Sequence, residues 1–135
     1  MRITFSVEMI NDIHTEIIDT FRELAQLNGD DETAIVYNVR DAATLDFIVM
    51  AINLASMPVG QATVALHRIA SQHPYFDGNK RTALIVAETI LGEDGWYLEG
   101  AQSDEEFILR IAQYQTCLDD AEAWVRSKMR RGRID

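Results

Sequence analysis

The chain is short of cysteine, proline and positive charge: it has one cysteine, Cys117, two prolines, and 12 basic against 22 acidic residues in a total of 135. A single cysteine excludes an internal disulfide and a thiolate metal cluster, so nothing calls for an oxidising compartment and a cytoplasmic setting is expected. Two prolines and seven glycines leave room for long helices and exclude collagen-like or proline-rich low-complexity chain. The shortage of cations gives a net charge of −10, which disfavours adhesion to nucleic-acid backbones and to anionic membranes. There is also no apolar run of about 20 residues that would span a membrane, and no signal-peptide-like stretch behind Met1.

What is present is a composition suited to a packed core, 47% hydrophobic and 25% charged. A chain of this length is one domain's worth, so residues 1–135 are expected to form a single domain. The charge is unevenly spread. Residues 67–86 carry Arg68, Lys80 and Arg81 against Asp77, net +2, between flanks of −7 and −5.

Hydrophobic spacing is helical throughout. Met9, Ile10, Ile13, Ile17, Phe21 and Leu24 recur at three and four, predicting a first helix over 7–27, with Ser6 as N-cap and Asn28-Gly29 as the stop. The β-prone stretch Ile35, Val36, Tyr37, Asn38, Val39 is read as a small strand or flap. Asp41 caps a second helix over 42–55, with Leu45, Ile48, Ile52 and Ala55 inward, and a third helix covers 58–71. After the turn-forming run His73-Pro74-Tyr75-Phe76-Asp77-Gly78, a fourth helix starts at Asn79 and runs to about 91. That helix is apolar on most sides, as a buried central helix is. Trp96-Tyr97-Leu98 is extended, Ser103 with Glu106 reads as a capping box for a fifth helix, and Asp119 with Glu122 as one for a sixth. The fold class is therefore all-α, about six helices around a buried central one, with a short β flap.

Chemistry is concentrated between His73 and Arg81. A helix N-terminus presents unpaired N–H groups and a positive dipole to anions. Lys80 and Arg81 add full charge there, and Gly78 is expected to let the backbone approach a ligand. Asp77 suits a divalent ion, Mg²⁺, bridging its carboxylate to polyphosphate oxygens. His73 is placed to take a proton from an incoming hydroxyl. Together these describe nucleotide-dependent transfer to a hydroxyl.

The stretch HPYFDGNKRTAL resembles the Fic/Doc signature, which in its Fic form reads roughly H-P-F-x-[D/E]-G-N-G-R-x-x-R. His73, Pro74, Asp77, Gly78, Asn79 and Arg81 match, and Tyr75 replaces the Phe. Lys80 stands where Fic proteins have a second glycine and Leu84 where they have a second arginine, both features of the Doc (death-on-curing) branch. FSVEMINDIH, VRDAATLDFIV, GWYLEG and LDDAEAWV are similar to further Doc-like segments, so the resemblance covers most of the chain, though only the motif is specific. It implies an all-α Fic/Doc fold and a set of roles. His73 would be the general base, with Arg81 also catalytic. Asp77 would hold Mg²⁺, and Gly78, Asn79, Lys80 and Arg81 would bind the phosphates of ATP. The flap from Ile35 to Val39 would clamp a target peptide by strand addition.

The resemblance further implies a toxin of a toxin–antitoxin pair that passes the γ-phosphate of ATP to a Ser or Thr hydroxyl of a translation factor. Lys80 fits this, because its side chain occupies room that a glycine would leave for an α-phosphate. The alternatives are a Fic-type protein AMP transferase and a catalytically silent fold kept as a binding module. The inhibitory [S/T]-x-x-x-E-[G/N] pattern of many Fic proteins has no match, which leaves restraint to an antitoxin partner. Elsewhere the ordinary readings are expected. His14 and His67 are packing residues, Trp96, Tyr97 and Trp124 core or edge aromatics, Cys117 a small buried residue, and RSKMRRGR a solvated tail.

Overall fold

The structure is a computed structural model and describes residues 4–132. Six helices form the body: α1 (Val7–Leu27), α2 (Ala42–Leu54), α3 (Val59–Gln72), α4 (Asn79–Glu93), α5 (Glu105–Ala112) and α6 (Leu118–Lys128). Two three-residue strands, β1 (Trp96–Leu98) and β2 (Met129–Arg131), pair antiparallel, Tyr97 opposite Arg130. The all-α class with a minor β element is thus as the spacing predicts, and no helix among the described residues is long and apolar enough to cross a membrane.

Most boundaries follow from local chemistry. Ser6 accepts from the Met9 N–H and Asp41 from the Thr44 N–H, each satisfying an orphan donor of the first turn. The Asp41 carboxyl is held below the usual range chiefly by its hydrogen bonds from Thr44. α1 closes on Asn28, with Gly29 left-handed at φ +77 beyond it. The two later caps differ from the expected ones. Asp104, not Ser103, caps α5, accepting from the Phe107 N–H and from the Trp124 indole at 2.8 Å, because Ser103 is held in a 3₁₀ turn before it. α6 starts earlier than expected: Cys117 is its N-cap and its N–H donates to Asp120. Cys117 is consequently exposed, not buried.

α3 and α4 make the most extensive packing contact in the protein, and both are buried along most of their length. Leu66 and Ile69 of α3 and Ala83, Val86, Ala87 and Leu91 of α4 belong to one buried core with Ile48 and Ile52 of α2. The central-helix role is therefore shared by the pair. Over its described residues the basic end is no free tail either: Met129–Arg131 forms β2, the Arg131 guanidinium lies 4.2 Å over Trp96, and Arg133 lies outside the described residues. Segment 35–39 forms no ladder. It runs irregularly after a 3₁₀ turn at Glu32–Ala34 and makes one bridge, Val39 to Tyr75, so the sheet of the fold lies elsewhere.

Candidate functional site

The motif loop joins the C-terminus of α3 to the N-terminus of α4, the two helices with the largest mutual contact, and its ends are fixed by the core. His73 caps α3 in the left-handed region, φ +50 and ψ 62. That conformation costs a residue with a Cβ of order 1 kcal/mol, so its surroundings must hold it. Arg40 does so from outside: its Nε donates to the His73 carbonyl at 2.6 Å and its Nη2 to the Gln72 carbonyl at 2.9 Å. The imidazole is half-buried and its Nε2 lies 3.2 Å from the Ala112 carbonyl at the end of α5. A carbonyl only accepts, so Nε2 carries the hydrogen and Nδ1 of the neutral ring carries the lone pair. The ring edge meets Tyr114, exposed and itself left-handed at φ +60.

The next residues turn inward. The Pro74 carbonyl accepts from the Arg40 and Asp41 N–H groups. Tyr75 is buried, its ring stacked on His14 at 3.6 Å and 6°, its hydroxyl donating to Asn11 at 2.5 Å. Burial pushes that hydroxyl far above its ordinary value, so it stays a neutral donor. Asn79 is buried too, and both halves of its amide are spent on Tyr75: Oδ1 accepts from the Tyr75 N–H and Nδ2 donates to the Tyr75 carbonyl. Any phosphate-binding role of Asn79 would therefore fall to its backbone, the side chain being taken up within the loop. Only its backbone N–H, in the first turn of α4, is left to face an anion.

Gly78 serves the packing of the loop as well. It is left-handed at φ +79, and a Cβ there would lie 3.3 Å from Ile18 Cδ1, 3.5 Å from Ile17 Cγ2 and 3.6 Å from His14 Cδ2. The missing side chain lets the loop lie against α1, and Gly78 also lines the cavity beside Lys80 and Arg81, which leaves the expected ligand approach available. His14 proves to belong to the site as packing: it is buried, and its Nε2 donates to the Asp77 carbonyl at 2.8 Å. Desolvation holds it below the usual histidine value and so neutral. Its place on α1 follows from the apolar spacing, but nothing local to residue 14 marks a contact 63 residues away. His67, by contrast, points its Nε2 at the Thr116 carbonyl and has no part in the loop.

Asp77 is half-buried, and its Oδ2 accepts from the Val36 N–H at 3.0 Å. The flap is thereby tied to the motif by Val36 and by the Val39–Tyr75 bridge, and to α1 by Arg22, whose Nε donates to the Ile35 carbonyl. The peptide group of Tyr37 makes no backbone hydrogen bond among the described residues. Among the described residues no three His, Cys, Asp or Glu side chains converge as a metal site, so Asp77 offers a single carboxylate. One carboxylate fits Mg²⁺, which keeps waters and substrate phosphates in the rest of its shell.

Lys80 and Arg81 are exposed in the first turn of α4. With Gly78, Asn79 and Leu84 they line a cavity of about 460 Å³, closed by Phe21 of α1, by Ala101 and Gln102, and by Glu105, Glu106, Ile108 and Leu109 of α5. The walls are mainly apolar and the cations stand at a helix N-terminus, an arrangement able to take an organic ring with a polyanion attached. His73 and Asp77 do not line this cavity. α5 relates the two parts: its Ile108 and Leu109 wall the cavity and its last carbonyl holds the His73 ring.

Comparison with known proteins fits this geometry. No curated protein and no solved structure gives a match. The family model described as Fic/DOC family matches residues 4–91, well over half of the chain, from the segment before α1 through the motif loop and most of α4. With that span matched and the loop built as described, the chain belongs to the Fic/DOC family, whose members are in general nucleotide-transferring enzymes.

Proposed function

We propose that the protein is a Doc-like toxin that transfers the γ-phosphate of ATP to a Ser or Thr hydroxyl of a target protein, a translation factor by the resemblance of its motif. The observation that carries this reading is the pairing of an oriented imidazole at the start of one loop with two exposed cations at its end. Nδ1 of His73 takes the proton of the attacking hydroxyl. The hydroxyl oxygen bonds to the γ-phosphorus, the bond to the β–γ bridging oxygen breaks, and ADP leaves. The N–H groups of α4 and the Lys80 and Arg81 side chains bind the phosphates and neutralise charge as it builds on them. Asp77 would hold Mg²⁺ together with phosphate oxygens, the ion supplying further charge neutralisation.

Transfer of the terminal phosphate is preferred over AMP transfer because of Lys80. Its side chain lines the cavity at the point where a glycine would leave bare backbone for an α-phosphate. The flap supports the protein-substrate half of the proposal. The unpaired peptide group at Tyr37 is an edge to which an extended target segment can add. With no internal inhibitory motif, restraint falls to an antitoxin whose basic segment would suit a chain of net charge −10.

Label position tests the proposal. Purified protein, Mg²⁺ and a cell extract are expected to move label onto protein from γ-labelled ATP and not from α-labelled ATP. Transfer from α-labelled ATP replaces the kinase reading by an AMP transferase. Transfer from neither label, with the same protein still binding a partner, replaces it by a binding module.

A further inference from the structure

Arg40 is exposed and makes no ion pair among the described residues. Two of its guanidinium nitrogens are nevertheless directed. Nε and Nη2 reach two successive carbonyls, those of His73 and Gln72, and its own backbone N–H donates to the next one, that of Pro74, at 2.8 Å. Three consecutive carbonyls at the end of α3 thus converge on one residue.

Helix-end carbonyls need donors, and a helix commonly finds them by ending on a left-handed glycine whose following N–H groups fold back. Here the left-handed position is held by His73, a residue with a Cβ that disfavours it. Arg40 supplies from outside the donors that the chain does not supply from within, in the planar fork that only arginine has. The backbone conformation of His73 sets the direction of its Cα–Cβ bond, and with it whether Nε2 reaches the Ala112 carbonyl. We infer that Arg40 is a positioning residue: it holds the backbone of His73 left-handed, so that the ring docks on Ala112 with Nδ1 free for the proton. This rests on the reading of His73 as general base.

The fork is attached to the flap by only one residue, Val39, whose bridge to Tyr75 adjoins it. Arg40 therefore also links the target-clamping segment to the base. It touches neither nucleotide nor hydroxyl in the proposed reaction, and its effect on the proton transfer passes through His73.

The test joins a spectroscopic and a kinetic measurement on the full chain. Long-range ¹H–¹⁵N correlation of the imidazoles is expected to show His73 as the Nε2–H tautomer in the unaltered protein and as a mixture of tautomers in Arg40→Ala. Transfer from γ-labelled ATP to extract protein is expected to fall at least tenfold in kcat with KM for ATP changed less than twofold. In a His73→Ala background, Arg40→Ala is expected to add no further loss. Arg40→Lys, which keeps a donor but not the fork, is expected to fall between the two and covers the case in which the alanine variant does not fold. An Arg40→Ala protein with the His73 tautomer intact and transfer within twofold overturns the inference. So does an equal loss with and without His73. If His73→Ala itself transfers label normally, it is the general-base reading that fails, and the tautomer measurement still decides whether Arg40 orients the ring.

Discussion

Within nine residues the motif loop divides into an inward side and an outward side, and the two are made of different chemistry. Inward lie Pro74, Tyr75, Gly78 and Asn79, buried or pressed against α1, with Tyr75 spending all its hydrogen-bonding groups on Asn79 and Asn11. Outward lie His73, Asp77, Lys80 and Arg81, half-buried or exposed, each with polar groups left over. The lesson is that a short functional signature can contain as much scaffold as chemistry. Side chains that look like ligands, Asn79 above all, can be structural, and the residue that makes the loop's closeness to α1 possible is the one with no side chain.

If that division is right, substitutions on the two sides separate activity from stability. The largest effect is expected outward. His73→Ala should lower label transfer about 10²–10⁴-fold, the range for loss of a general base, while thermal unfolding moves little; a variant that transfers at the unaltered rate breaks the outward assignment. Asn79→Ala should act the other way. It strands a buried N–H and a buried carbonyl of Tyr75 at a cost of about 2–4 kcal/mol, read as a fall in denaturant midpoint, with activity lost only as the loop loosens. Gly78→Ala is expected to cost about 1–2 kcal/mol, from the left-handed φ together with the close contact on Ile18; a protein of unchanged midpoint would mean that the loop does not lie against α1 as described.

The smallest effect is a pH dependence. Burial keeps His14 below the usual 6.5, so the unfolded chain binds a proton that the folded one refuses. Stability from this group is complete above about 6.5 and declines as pH falls below it. Denaturation at pH 7 and 5.5 should show the decline, and His14→Gln should flatten it. Glu88 has the opposite sign. Burial raises its carboxyl above the usual 4.5, so its contribution worsens as pH rises past that value.

The sequence made much of this legible. α1 runs over the residues its spacing predicts, with Ser6 at its start and Asn28 at its end, because spacing and capping act within a few residues. The motif was legible as a candidate site for the same reason: a base, a carboxylate and two cations before and inside a helix N-terminus are close in chain and in space. What was not legible depended on distant partners. The basic end became β2 only because β1 lies beside it; three residues with two arginines carry no strand pattern of their own. Ser103 had the pattern of a cap, but Asp104 also bonds Trp124, twenty residues on, and that contact decides the start of α5.

By itself, then, the amino-acid sequence determined six helices, most of their limits and the segment where a nucleotide-transferring chemistry could sit, since these depend on hydrophobic period, caps and charges that neighbours in the chain supply. Tertiary structure alone decided which side of that segment each residue faces. His14 reaches Asp77 across 63 positions and Arg40 reaches His73 across 33. Such contacts form only when helices pack, because the geometry that aligns their donors and acceptors is set by the core and not by the local chain.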